Sequence, residues 1–249
     1  QQAFDDSGQR FGAEKIRIVL AENGIHVSKK RISSIMQELN LQSVRSGAKK
    51  EYKKRQAYKK QNLVNRDFYA ERPNQIWVSD ITYFKGDNYR IYLCAIIDIF
   101  SRRMVGYKTS QNCSTNLVAT TFKKVFEAAA LPQIKHFTAT AEHNTHQSIY
   151  KATASMYSDA VILASGRPHD KAVADTFFAN FKKEEAYRHS YSSEQNFRKS
   201  ADTYIHFYNE VRPHMTLAYK TPVHFEDYMD DFIEKVVYAA AFVDFFCLL

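Results

Sequence analysis

Trp77-Val78-Ser79-Asp80-Ile81-Thr82-Tyr83 sets one carboxylate in the middle of an apolar run. From Ile76 to Phe84 the residues are largely β-branched and aromatic, the composition of a strand in a sheet core. A carboxylate in that setting is costly without compensation, so Asp80 calls for a cation, a hydrogen-bond donor or water. Taken alone, it reads equally well as an aspartate that accepts hydrogen bonds at a strand end.

Outward from this strand the pattern alternates. Gly86-Asp87-Asn88 marks a turn, residues 89–100 read as a second strand, and residues 103–109 as a third. Residues 115–130 carry Leu117, Val118, Phe122, Val125 and Phe126 at helical spacing. Residues 134–139 read as a short strand, 148–156 as a helix and 160–163 as another strand. Two long helices follow, over 170–187 and 194–211. Three antiparallel strands, then alternating helices and strands, indicate an α/β fold: a mixed five-stranded sheet with helices on both faces. Phe177, Phe178 and Phe181 read as core.

A chain of 249 residues, 45% hydrophobic and 14% aromatic, buries a real core and suits one large domain with a smaller one. Three cysteines, Cys94, Cys113 and Cys247, without a CxxC pair, argue against a disulfide scaffold and a thiolate zinc site and favour a reducing cytoplasm. No signal peptide is expected. The apolar stretch 236–249 is too short and, with Asp244, too polar to span a bilayer. It reads as a docking helix, an oligomer contact or out-of-frame sequence.

The net charge of +8 is unevenly placed. Residues 1–66 hold 15 Lys and Arg against 6 Asp and Glu, a net of +9, and the remainder holds 20 against 21. A basic module joined to a near-neutral body is expected to bind a polyanion. Within it, Gly12 precedes a helix with Ile16, Ile18, Val19 and Leu20 as its apolar stripe, broken at Asn23-Gly24. Ser28 is an N-cap for a second helix, 29–38, with Ile32, Ile35, Met36 and Leu39 expected to face inward. Two short helices about a glycine turn read as a helix-turn-helix or, more plainly, as a helical hairpin. Lys29, Lys30 and Arg31 start the second helix, where groove and phosphate contacts are made, and favour DNA. Residues 45–62 then read as a basic linker, in which Lys49, Lys50, Lys53, Lys54 and Arg55 are expected to track phosphates.

Four motifs in order carry a family resemblance. They are the strand around Asp80; Asp98-Ile99-Phe100-Ser101-Arg102-Arg103 with Val105-Gly106; Asp170-Lys171-Ala172-Val173-Ala174-Asp175-Thr176-Phe177-Phe178 with Lys182; and Tyr208-Asn209 before Arg212-Pro213-His214. The chain resembles, over about residues 10–228, the retroviral-integrase-like transposases of bacterial insertion sequences, specifically the OrfB type of the IS-three group. The resemblance implies an RNase H-like integrase core behind a helix-turn-helix, double-stranded DNA as partner, and cleavage and strand transfer at insertion-sequence ends with Mg2+ or Mn2+. It divides the chain into a helix-turn-helix module (1–44), a basic linker (45–73), the catalytic core (74–230) and an atypical apolar tail (231–249). It also implies a bacterial cytoplasmic, nucleoid-associated protein, leaves homo-oligomerisation open and gives no role to a membrane.

The chemistry behind such a core is in-line displacement at a phosphodiester, aided by two divalent ions roughly 3.5–4 Å apart. Three convergent carboxylates suffice to hold them, together with water and phosphate oxygens. Asp80 matches the family's first aspartate. The second belongs at the end of the strand 134–139, where this sequence has Ala139. Thirty-five residues lie between Ala139 and Asp175, the separation the family uses, so Asp175 stands in the place of a glutamate. Asp80 and Asp175 are thus the expected catalytic and metal-binding residues, with Glu142 as a substitute third carboxylate. The degraded triad leaves two expectations open: a DNA-binding transposase with impaired catalysis, or a catalytically dead relative that only binds DNA or regulates.

The remaining candidates have plainer alternatives. His143 and His146, with His136 nearby, read as polar loop histidines rather than a metal cluster. Asp170 reads as a helix cap. Lys182 is either a DNA contact or a solvated lysine. Arg212 and His214 either contact phosphate or lock the end of the last helix.

Overall fold

The computed structural model describes residues 1–44, 70–85, 90–129, 136–139, 161–163 and 168–233; for 129, 136–139, 161–163 and 168–171 it describes the backbone alone. The expected turn at 86–88, the basic linker, Glu142, His143, His146, the helix 148–156 and the apolar tail 236–249 lie outside the described residues. The chain forms two compact units. One comprises Gln1–Tyr69 with Asn180–His189, and the other Ala70–Ala179 with Ser190–Leu249.

In the first unit, α1 (Gln2–Asp6), α2 (Ala13–Glu22) and α3 (Lys29–Glu38) follow in order. α1 is short, five residues, and is anchored by buried Phe4. α2 ends where Gly24 takes φ +77°, and Ile25 N–H donates to Leu20 O at 2.8 Å, a C-terminal turn that glycine adopts without strain. α3 begins at Ser28, whose Oγ accepts from Arg31 N–H at 3.3 Å. Ile16 and Ile32 are the buried residues of the two helices. Leu39, expected to face inward, is 47% exposed. It stands at the C-cap, beyond the last full turn of α3, where the helical periodicity no longer dictates facing.

The second unit holds a five-stranded sheet in the order β3-β2-β1-β4-β5. Its strands are β1 (Ile76–Lys85), β2 (Arg90–Asp98), β3 (Met104–Ser110), β4 (His136–Ala139) and β5 (Val161–Leu163). The first three are antiparallel neighbours, whereas β4 runs parallel to β1 and β5 parallel to β4. The helices are α4 (Thr115–Ala129), α5 (Pro168–Phe181), α6 (Glu194–Glu210) and α7 (222–233).

α4 covers one face of the sheet. Leu117, Val118, Phe122 and Val125 close over Trp77, Cys94 and Ile96. Gly106 lets the helix approach: a Cβ there would lie 2.0 Å from Val125 Cγ2. On the other face, where alternation places Val78, Asp80 and Phe84, the Phe84 ring meets Phe197 of α6 at 4.9 Å. Phe177, Phe178 and Phe181 are buried, as expected. α7 starts at Pro222 behind Thr221, whose Oγ1 accepts from His224 N–H at 3.2 Å.

β2 stops at Asp98, short of the expected residue 100. The carboxylate of Asp98 accepts from Ser101 N–H at 2.9 Å, Ser101 Oγ at 2.8 Å and Asn74 N–H at 3.1 Å, so the chain turns there instead of extending. The penultimate long helix also departs from expectation. It is α-helical only to Phe181 and continues as a π turn, Lys182–Ala186, in which Tyr187 N–H reaches Lys182 O at 3.0 Å. The turn belongs to the first unit, where Glu184 and Glu185 are buried.

Candidate functional site

β1 carries Asp80 at the middle of the sheet. Ile76–Ser79 are buried, and Asp80 is the first residue of the strand to be only half-buried. It pairs in register with Ala95 of β2. On its other side, β4 runs parallel to β1 and ends with Ala139 opposite Ser79, one residue before Asp80. Position 139 is therefore at the carboxyl end of the strand beside Asp80, where parallel sheets present ligands. The residue there is an alanine and supplies no oxygen.

Asp175 lies on α5 and is exposed. Ala174, Phe177, Phe178 and Phe181 form the buried stripe of that helix at helical spacing, and Asp175 stands beside it on the solvent side. Among the described residues, no three histidine, cysteine, aspartate or glutamate side chains are grouped as a metal site would need. The buried thiol of Cys94 is pushed up to about 11, chiefly by burial, with the charge of Asp80 adding to it. Cys94 is thus an inert core residue.

Of the expected DNA contacts, Lys29, Lys30 and Arg31 are all exposed at the start of α3. Lys29 Nζ lies 3.6 Å from Glu14 Oε2, and Arg31 Nη1 lies 4.0 Å from Glu38 Oε1. Both are loose surface pairs that an anion can displace. Lys49, Lys50, Lys53, Lys54 and Arg55 lie outside the described residues. Lys182 is half-buried at the start of the π turn, in the first unit.

Arg212 is only 4% exposed. Its guanidinium stands over the Tyr208 ring at 5.9 Å, and its N–H donates to Phe207 O at 2.8 Å. His214 is also buried, edge-on to Tyr208 at 4.5 Å, with Nε2 3.2 Å from Tyr208 O. The two residues lock the end of α6. A phosphate contact, which requires an accessible guanidinium, does not describe Arg212.

Asn209, in the same motif, has a role that its sequence did not signal. Its amide accepts from Met104 N–H and donates to Met104 O, both at 3.0 Å, and so ties α6 to the first residue of β3. A motif asparagine beside a helix end is the only trace such a clamp leaves in sequence.

Comparison with known proteins agrees with this geometry. Two models described as an integrase core domain match residues 70–140 and 159–222, and a model described as an HTH-like domain matches 1–49. The transposase for insertion sequence element IS904 of Lactococcus lactis subsp. lactis is 28% identical over 231 residues, 90% of each chain. The transposase for IS629 of Shigella sonnei is 27% identical over 91% of this chain and 77% of that one. Transposase InsF for IS3A of Escherichia coli is 27% identical over 90% of this chain and 80% of that one. Among solved structures, a simian T-cell lymphotropic virus intasome in complex with PP2A regulatory subunit B56 gamma superposes with a TM-score of 0.52 at 17% identity. That match covers 63% of this chain and 55% of the other, and shows the fold alone. No helix among the described residues is long and apolar enough to cross a membrane.

Proposed function

Because the chain belongs to the helix-turn-helix, integrase-core transposases of bacterial insertion sequences, the OrfB type of the IS-three group, we propose that it engages double-stranded insertion-sequence DNA through its N-terminal module and that strand cleavage and transfer at its core are impaired. The exposed cations Lys29, Lys30 and Arg31 at the start of α3 support the first half. The register of Ser79 with Ala139 carries the second.

A core of this type uses two divalent cations, one to activate the attacking oxygen and one to stabilise the leaving oxygen. The residues present do not fit that ion pair. Asp80 is suitably placed on β1, but Ala139 has a methyl group where a carboxylate is needed, and Asp175 is one methylene shorter than glutamate. Glu142 is the acidic residue left to substitute, three positions beyond Ala139 in the chain. Magnesium held by Asp80 and Asp175 alone would retain more of its water and bind weakly. The reading carries with it a cytoplasmic, nucleoid-associated protein and leaves homo-oligomerisation open.

The test is a strand-cleavage assay on insertion-sequence ends with magnesium and with manganese. Native protein should be silent or feeble, and Ala139→Asp with Asp175→Glu should cleave. Robust native cleavage abolished by Asp80→Ala would overturn the impaired core, and its loss in Glu142→Gln would assign the third carboxylate. Silence of both native protein and revertant would leave a DNA-binding or regulatory relative. Duplex binding that survives Lys30→Ala with Arg31→Ala unchanged would overturn the role given to α3.

A further inference from the structure

α4 does not cover the whole of its sheet face. Beyond Trp77 and Ile96, the cross-strand rows nearer the β1–β2 connection read Ile81–Cys94–Lys108, Tyr83–Tyr92–Ser110 and Lys85–Arg90, of which Cys94, Ile81 and Tyr92 still border the α4 cluster. Alternation puts all of these on the α4 side. None of these positions holds a carboxylate. Lys85, Arg90 and Lys108 are exposed, and the Tyr83 ring is 57% exposed.

Two features make this more than an ordinary solvated surface. Lys85 and Arg90 are directly opposite each other, and like charges so placed work against strand pairing. The Arg90 guanidinium nevertheless folds over the Tyr83 ring at 5.2 Å and donates to Tyr92 Oη at 3.4 Å, while the two tyrosine rings stand 6.1 Å apart. Lys108 Nζ is held by the neutral Thr120 Oγ1 at 3.0 Å and keeps donors to spare. The result is an exposed aromatic–guanidinium stack bordered by cations.

We propose that this patch is a stacking site for single-stranded nucleic acid. Tyr83 and Arg90 supply the planar surfaces for a base, and Lys85 and Lys108 take the adjoining phosphates. Only an unpaired base exposes its face to such a platform, and a positively charged groove with aromatic rings is how single strands are held without sequence preference. The site takes from the function proposed above only the class of partner, nucleic acid. It is separate from α3 in the chain and is tested separately.

The full chain is titrated into a labelled oligothymidylate and, in parallel, a duplex, with fluorescence anisotropy at graded salt. Tyr83→Ala should weaken oligothymidylate binding roughly tenfold, the loss of one stacked base, while Tyr83→Phe stays near native. Lys85→Gln with Lys108→Gln should lower the salt slope by about 1.4, two phosphate contacts on a single strand. Lys30→Ala with Arg31→Ala should reduce duplex binding and leave the Tyr83→Ala effect in place, so that failure of the α3 assignment and failure of this one are distinguished. Native-like oligothymidylate binding by Tyr83→Ala and by the double charge variant would overturn the proposal. So would a dimer-to-monomer shift of Tyr83→Ala in sedimentation with binding unchanged, which would assign the patch to a second copy of the chain.

Discussion

Arg10 and Glu185 meet as an ion pair, Nη2 to Oε2 at 2.5 Å, although 175 positions separate them in the chain. Both side chains are largely buried, and the guanidinium is used further: Nε donates to Glu184 O and Nη1 to Ser7 O, each at 3.2 Å. Arg188 Nη1 reaches Gly8 O at 3.0 Å beside it. The helix-turn-helix unit is therefore completed by a segment that follows α5 directly in sequence. That segment is the π turn, in which Glu184 and Glu185 are buried.

Breaking that pair from one side takes the guanidinium away from the buried Glu185 carboxylate, whose Oε1 lies 3.5 Å from His189 Nε2. Arg10→Met is expected to destabilise the first unit by about 3 kcal/mol, read as lost hydrogen-exchange protection in α2 and α3. Adding Glu185→Met should recover part of the loss, since an apolar pair carries no desolvation cost while the bonds of Arg10 to Glu184 O and Ser7 O stay absent. A double variant no more stable than Arg10→Met would show that the ion pair is not the source of the effect.

Gly106→Ala should cost about 2 kcal/mol or more, because its Cβ would overlap Val125 Cγ2 at 2.0 Å. Val125→Ala in the same chain should relieve the overlap and leave a smaller, cavity-sized deficit. Urea unfolding of the three variants separates the two contributions.

Asn209→Ala removes a donor and an acceptor at once and leaves the N–H and C=O of Met104 without their partner. A loss of about 2 kcal/mol is expected in urea unfolding. Asn209→Asp keeps the acceptor for Met104 N–H but presents a carboxylate to Met104 O, so it should rescue little. Full rescue by aspartate would mean that only the accepted hydrogen bond matters.

Asp98 predicts a pH dependence of stability. Burial pushes its carboxyl up from 3.8 to about 6, against the pull of the Ser101 and Asn74 hydrogen bonds, with the charge of Glu226 adding to the rise. Between these values the folded protein binds a proton that the unfolded chain has released, so stability falls as pH rises from about 4 to about 6 and is level above. The displacement corresponds to roughly 3 kcal/mol. Thermal unfolding from pH 4 to 7 should show this slope in the native chain and a flatter one in Asp98→Asn. Identical slopes would remove Asp98 as the cause.

The elements that the sequence determined by itself are those specified by neighbours along the chain. Ser28 and the apolar spacing of Ile32, Ile35 and Met36 define α3, Asn23-Gly24 ends α2, and β-branched and aromatic runs make β1, β2 and β3. Their order, with α4 and the strands after it, suffices for the integrase-type sheet, because side-chain period and turn chemistry act over a few residues. The candidate site was legible in part: the motif spacing singled out position 139, and the parallel register of β4 then set it opposite Ser79.

Tertiary structure alone decided the rest. Arg212 carries the same charge as Lys30, yet one is buried against Tyr208 and the other is exposed on α3, a difference of environment rather than residue type. Tyr83, Tyr92 and Arg90 form a stack only because β1 and β2 pair in one register. The partners of Arg10 and Asn209 lie more than a hundred residues away, and no local propensity encodes which distant groups will satisfy a buried guanidinium or amide. Those pairings arise when the chain closes, because polar groups removed from water must then bond to whatever the fold brings beside them.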